Sequence, residues 1–348
     1  MAYCFQDDDS NVQHASTDEH QQRDEMSSAK ESYRDLWLTE PSIPIFCRDW
    51  WLDATAGSGN WDVVLVKKGN RILAAMPYMI RRRFGMTVLT QPPLTPTLGP
   101  WLQPPDASLS PAERVAQENH LMQSLIDQLP AFDAFSQNWH YRHTNWLPFY
   151  WNGFRQTTRY TLVTDLRQPD KLWVNLQKNV HKHCKTASER YRVTIRDDLP
   201  LDDFLALNRM TFQRQGLTVP YSDAYVRSLD AACAKRGCRR YYIAVDPEGR
   251  HHAGCYFVWD ENSAYGLMNG SDPALRHSGA LSLCFWHALR DAAQVANQFD
   301  FEGSMIEPIE RFLRYFGTVQ KPYFYISKTP SRLLRLREGL LSVVGRAR

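Results

Sequence analysis

Two stretches of this chain read as the same series of elements. Between Ile45 and Asp165 the order is helix, hairpin, strand, loop, long helix, strand, aromatic segment, strand, and it returns between Asp223 and Lys328. The offset is roughly 180 residues, the signature of an internal repeat. A duplicated helix–strand unit builds two similar lobes, and the cleft between lobes is a favoured place for a ligand. The expected fold class is therefore α/β (α+β): two tandem lobes, each a mixed, largely antiparallel sheet flanked by helices.

In the first unit Ile45–Ala54 reads as a helix, and Trp61–Val66 and Arg71–Arg82 as a hairpin about the turn Lys67-Lys68-Gly69-Asn70. A short strand, Thr87–Gln91, runs into the Pro-rich loop Pro92–Pro105. Ser110, Pro111 and Glu113 spell a helix start with a capping box. In the second unit Arg240–Val245 and Ala253–Asp260 form the hairpin and Ala264–Asn269 the next strand. The long apolar helix is Gly279–Ala296, followed by the strand Gln298–Glu302, the helix Ile306–Tyr315 and the strand Lys321–Lys328.

The flanks differ from this repeat. Residues 1–34 hold eight acidic and three basic residues and almost no aliphatics, which predicts a disordered acidic tail. The lobes then fall at 35–165 and 166–329, and 330–348 reads as a basic amphipathic helix. In that last segment Leu333, Leu336, Leu340, Leu341 and Val344 share one face, and arginines stand opposite. Such a helix can lie on an anionic lipid surface.

Composition removes several classes. The 348 residues carry 41 Lys+Arg against 38 Asp+Glu, a net charge of +3. This is no dedicated DNA binder, so any basic site must be local. No apolar run reaches the length of a membrane span, and the polar N-terminus has no secretory h-region. The seven cysteines are scattered without a CxxC pair, which fits reduced thiols in a cytoplasmic protein and offers no metal site. Walker A, GxGxxG, GxSxG and HExxH patterns are absent, so nucleotide hydrolysis, dinucleotide redox chemistry and serine hydrolysis lose support.

Three segments can carry chemistry. In Phe299-Asp300-Phe301-Glu302 the alternation puts both carboxylates on one face of a strand end, where Glu302 or Asp300 can take a proton from an attacking amine. Arg311 and Arg314 on the following helix are candidates to pair with them or to hold substrate. Asn269 and Ser271 end one strand, and Arg276 precedes a helix opened by Gly279, a start that can grip phosphate. From Lys178 to Arg196 there are six Lys/Arg against one acidic residue. Lys178, Lys182 and Lys185 lie opposite an apolar face on a helix expected over Leu172–Arg192. This face reads as solvated or phosphate-binding. Gln91, at the mouth of the Pro-rich loop, is a weaker candidate for polar substrate.

The run Phe299-Asp-Phe-Glu-Gly-Ser-Met, followed by Ile309-Glu-Arg-Phe-Leu-Arg-Tyr-Phe-Gly317, resembles the C-terminal signature of FemAB-like members of the GNAT acyltransferase superfamily. The likeness extends over about 45–328, with Ser278-Gly-Ala-Leu-Ser-Leu-Cys-Phe-Trp286 in the second lobe and Gln91–Trp101 in the first. It implies two tandem GNAT folds and transfer of an acyl group to an amine. The acceptor it implies is a polysaccharide or cell-envelope precursor, and the cosubstrate acyl-CoA (acetyl-CoA). Asp300 and Glu302 then serve as candidate bases, and Arg276, Gly279 and the three lysines as donor-binding groups. Backbone N–H groups of Met268–Gly270 would hold the carbonyl oxygen. Two other readings stay open. One is an aminoacyl-tRNA-dependent ligase acting on a peptidoglycan precursor, with tRNA as partner. The other is a non-catalytic module for sugar nucleotides or polyanions.

Overall fold

The computed structural model of the chain describes residues 29–332 together with 334 and 335. Most of the expected acidic tail and most of the expected C-terminal helix lie outside the described residues. Ordered structure begins earlier than Asp35: residues 29–39 form helix α1, whose Tyr33 is fully buried and donates its hydroxyl to the Cys47 carbonyl at 2.7 Å.

The first unit continues with α2 (Asp49–Thr55), β1 (Trp61–Lys68), β2 (Arg71–Arg83), β3 (Met86–Thr90) and a short β4 (Trp101–Leu102). Helix α3 (Pro111–Asp127), β5 (Ala134–Asn138), α4 (Leu147–Trp151) and β6 (Arg155–Asp165) complete it. The sequence signals at α3 are realised: the Ser110 hydroxyl accepts from Glu113 N, Glu113 accepts from Ser110 N, and Pro111 occupies the first turn. The aromatic segment before β6 is the short helix α4.

The helix expected over Leu172–Arg192 is broken. α5 (Pro169–Asn175) stops at Leu176, which is extended (φ −67°, ψ 145°), and α6 (Lys178–Lys185) runs on into a π-helical turn at Thr186–Arg190. Gln177 N donates to the Tyr315 carbonyl at 2.9 Å, a tertiary bond that substitutes for the lost helical one. Next come β7 (Thr194–Arg196), α7 (Leu201–Arg214), α8 (Asp223–Ala234), β8 (Arg239–Val245), β9 (His251–Trp259) and β10 (Ser263–Ser271). The chain closes with α9 (Ala280–Ala292), β11 (Gln298–Asp300), α10 (Glu307–Arg314) and β12 (Val319–Lys328).

All the strands belong to one 12-stranded sheet, ordered β1-β2-β3-β5-β12-β6-β11-β10-β9-β8-β7, with β4 on β2. The two units are thus laid out as mirror sequences about the middle. At that middle the last strands are exchanged: β12 pairs with β5 of the first unit, and β6 pairs with β11 of the second. β6 and β12 pair antiparallel from Arg155↔Ser327 to Val163↔Val319. The expected border at 165/166 therefore ends a strand but does not divide the sheet.

The second unit is packed on both faces. On one face Phe285 of α9 packs with Phe299, Phe301 and Phe316, and on the other Phe204 of α7 clusters with Tyr256, Met268 and Val226 of α8. Each fully buried Phe of this kind contributes roughly 1.5–3 kcal/mol. Trp50 and Trp51 of α2 join that second cluster, and Ile45 N donates to Asp260 at 3.0 Å, so the first unit grips the β9–β10 turn. Among the described residues no helix is long and apolar enough to cross a membrane.

Candidate active site

β10 and β11 run parallel for three residue pairs, Ser263↔Gln298 to Tyr265↔Asp300. β11 then ends, while β10 continues to Ser271 along β9. The two strands therefore part beyond Tyr265. β10 changes register between Tyr265 and Met268, so Gly266 and Leu267 are the residues out of step with β9, and Met268–Gly270 are paired. A Cβ at Gly266 would stand 3.2 Å from the Phe299 ring, a tight approach.

The carboxylates stand on the β11 side of this split. Asp300 is only 4 % exposed, and its Oδ1 accepts from the Thr161 hydroxyl and, at 2.8 Å, from Glu302 N. Burial raises its pKa to about 6 against those two bonds, which favour the charged form. Glu302 is not a strand residue as the alternation implied. It lies in the left-handed region (φ 59°), and Gly303 follows at φ 42° with its Cα against β6, where a Cβ would meet the Tyr160 carbonyl at 2.2 Å. Such backbone costs on the order of 1 kcal/mol or more and clusters at functional sites. Burial, and then the Asp300 charge, push the Glu302 carboxyl well above its usual range. Among the described residues no ion pair or hydrogen bond takes up that carboxyl. The pair in turn raises the phenols of Tyr141 and Tyr323, after burial, and that of Tyr265, after burial and the Asp260 charge. Tyr141 accepts from Gln298 Nε2 at 2.5 Å.

A cleft of about 500 Å³ lies at the far end of β10, within the usual range for a small-molecule site. Asn269, Ser271, Arg276 and Gly279 line it, as do Thr211, Arg214, His183, His252 and the apolar edge of α10. Gly279 (φ 79°) opens α9 without a side-chain cap, and a Cβ there would stand 2.7 Å from the His183 carbonyl. The backbone start of α9 is therefore left facing the cleft. Arg276 and Arg214 form no ion pair among the described residues, and Arg214 is held below its usual pKa by burial and then by the Arg276 charge. Two guanidiniums without ion pairs among the described residues thus stand beside the α9 start, where Ala280 N donates to the Ser278 hydroxyl at 3.3 Å. His252 is fully buried, with Nε2 2.9 Å from Asp246 and Nδ1 without a partner.

The other predicted residues are elsewhere. Lys178, Lys182 and Lys185 are exposed on α6 outside the cleft, and Lys185 pairs with Glu189 at 3.8 Å. Arg311 and Arg314 pair within their own helix, with Glu307 and Glu310, and do not reach Asp300 or Glu302. Gln91 is a brace: its amide donates to the Thr95 and Pro96 carbonyls and accepts from Asn138 N, so its polar atoms are already engaged. Arg214, His183 and His252 were not singled out as cleft residues. α7 starts after Pro200 without a side-chain cap, and His252 lies within a strand hairpin.

A model of the acetyltransferase (GNAT) domain matches residues 175–304, which contain the β10–β11 split, the α9 start and both carboxylates. No curated protein sequence matches the chain. Its fold is similar to the crystal structure of FemX, with a TM-score of 0.61 and 11 % identity over 85 % of this chain and 95 % of that one. It is also similar to the C-terminal DUF2156 domain of a proposed lysylphosphatidylglycerol synthetase from Agrobacterium fabrum. There the TM-score is 0.53 and the identity 12 %, over 90 % of this chain and 97 % of that one. The fold of FemX is thus shared over most of this chain, and the acetyltransferase-domain match lies in its second half. Among the described residues no group of three His, Cys, Asp or Glu is placed to hold a metal.

Proposed function

We propose that the protein is an N-acyltransferase that moves an acyl group from an acyl-CoA-type donor to an amino group of a polysaccharide or cell-envelope precursor. Two observations carry this reading: a basic cleft lies at the α9 start, at the far end of β10, and a buried carboxylate pair follows β11, the strand that parts from β10.

The donor's phosphates would lie on the α9 start with Arg276 and Arg214, and its thioester would point into the split. The bulge at Gly266–Leu267 offers backbone N–H groups toward the carbonyl oxygen. The amine approaches from the tyrosine-lined side. Glu302, whose carboxyl has no protein partner, takes a proton from it as nitrogen attacks the carbonyl carbon. The thioester C–S bond then breaks, and the thiolate leaves with the donor. Asp300, fixed by Thr161 and Glu302 N, keeps a negative charge beside Glu302 and so strengthens it as a base. The deciding experiment is calorimetric titration with acetyl-CoA of wild type and Glu302→Gln, alongside transfer assays on amino-sugar acceptors. Retained donor affinity with lost transfer supports the reading. Absence of donor binding in both proteins sinks it.

A second reading has its own observation. The exposed lysines of α6 adjoin the cleft through His183 of the same helix, and an aminoacyl-tRNA donor could lie along them. Binding of tRNA that falls steeply with salt, with no affinity for CoA thioesters, would favour it.

A further inference from the structure

We propose that one end of the sheet, where the β2–β3 turn and the exit of β12 meet, is a docking surface for an anionic lipid bilayer. The proposal does not depend on which donor or acceptor the active site uses.

Three strand ends and one helix meet at this place. Arg83 pairs with Met86 to close the β2–β3 turn. One residue on, Thr87 and Asp133 exchange bonds: Thr87 N donates to Asp133 Oδ2 at 2.9 Å, and Asp133 N to Thr87 O at 2.8 Å. The chain leaving β12 is tied to the same residue, with Ser331 N 3.3 Å from the Asp133 carbonyl. Lys328, the last residue of β12, donates to the Asn152 carbonyl at 2.7 Å, one residue past α4.

What these elements display is basic and aromatic. Arg81, Arg82 and Arg83 are exposed and form no ion pair among the described residues. Phe84 at the tip is 82 % exposed and takes φ 53°, a conformation that favours glycine, so its ring is held out in solvent at a cost in backbone strain. The Arg83 guanidinium lies 4.9 Å over that ring. On α4, Tyr150 and Trp151 are 59 % and 62 % exposed. Arg332 and Arg335 are exposed beyond β12. The nearby acidic groups do not cancel this charge. Asp133 is engaged by Thr87, and Asp127 at the end of α3 accepts from Gln123.

Exposed arginine clusters draw a protein to an anionic leaflet, and rings of Phe, Trp and Tyr settle at the head-group boundary. A nucleic acid would use the arginines but has no need of an apolar tip held out on strained backbone. The combination therefore favours lipid over RNA.

The test is flotation of the full chain with phosphatidylcholine vesicles, with and without about 30 mol% phosphatidylglycerol, in about 0.1 M salt. Wild type should float with the anionic vesicles and not with the neutral ones. Replacing Arg81, Arg82 and Arg83 by Gln should weaken the partition on the order of 100-fold. Phe84→Gly, which suits the local backbone, should weaken vesicle binding about 10-fold and leave heparin retention unchanged. Equal binding to neutral vesicles, no binding to either kind, or an unchanged partition for the triple variant overturns the proposal. Binding to tRNA that the triple variant loses, without wild-type binding to vesicles, assigns the surface to RNA instead.

Discussion

The two halves of the sheet share one plan and differ at one place, the split between their parallel strands. In the second half β10 and β11 part and leave the gap open. In the first half β3 and β5 pair in parallel at Val88↔Ala134 and Leu89↔Phe135, and the gap beyond is closed by the Pro-rich loop. Gln91 ties that loop to Asn138 N, Leu98 N donates to the Asn138 carbonyl at 2.7 Å, and Asn138 Nδ2 reaches the Pro96 carbonyl at 3.1 Å. The helix starts differ in the same sense. α3 satisfies its own first turn with Ser110 and Glu113, whereas α9 opens on Gly279 without a side-chain cap. Beyond the strand ends, β5 is followed by Trp139-His140 and β11 by Phe301-Glu302. The first half thus closes the gap between its parallel strands, with a cleft of about 350 Å³ left between the Pro-rich loop and α3, whereas the second half leaves that gap open.

The sharpest break in this contrast should come from the strand ends. Glu302→Gln should lower the rate of transfer by about 10²–10⁴-fold with donor affinity retained, and His140→Gln at the matching place should leave transfer within about twofold. Steady-state kinetics beside donor titration separates the two. Next in size are the guanidiniums. Arg276→Gln and Arg214→Gln should each weaken donor binding about 10-fold, read by calorimetry, with the fold unchanged by circular dichroism.

The carboxylate pair predicts a pH profile. Its lower step is near pH 6 for Asp300, and Glu302 follows well above the usual carboxylate range, so kcat/KM should rise with pH across that span. In Asp300→Asn the neighbouring charge is gone, and the upper limb should move to lower pH. Stability runs the other way. A carboxyl whose folded pKa is raised favours the fold below its unfolded value of about 4, and that contribution is lost as pH rises through about 6. Melting temperatures of Asp300→Asn should therefore fall less over this interval than those of wild type. The smallest effect belongs to the self-capped half. Ser110→Ala should cost about 1 kcal/mol by chemical denaturation and leave donor binding untouched.

Much of this was legible because local rules set it. The capping box of α3, the two hairpins and the return of the element order all follow from residue type and spacing. So does the pairing of Gly279 with Arg276 at one helix start. Other features depended on contacts distant in sequence. Gln177 bonding to Tyr315 breaks the basic helix at Leu176, and periodicity along that segment alone cannot show it. Helix α1 was hidden by its polar composition, since its burial rests on Tyr33 reaching the Cys47 carbonyl. Arg311 and Arg314 were drawn toward the carboxylates by nearness in sequence, but their i, i+4 glutamates hold them on the far side of α10. Alternation brought Asp300 and Glu302 to the same region, although a left-handed backbone and a hydrogen bond, not a strand face, bring them together.

The exchange of β6 and β12 has a consequence for how the protein is made. As the chain leaves the ribosome, β5 has to wait with one edge bare until the last segment of the sheet is synthesised. Late truncations should for this reason injure the first half more than the second, and neither half expressed alone can finish its own hydrogen-bond ladder.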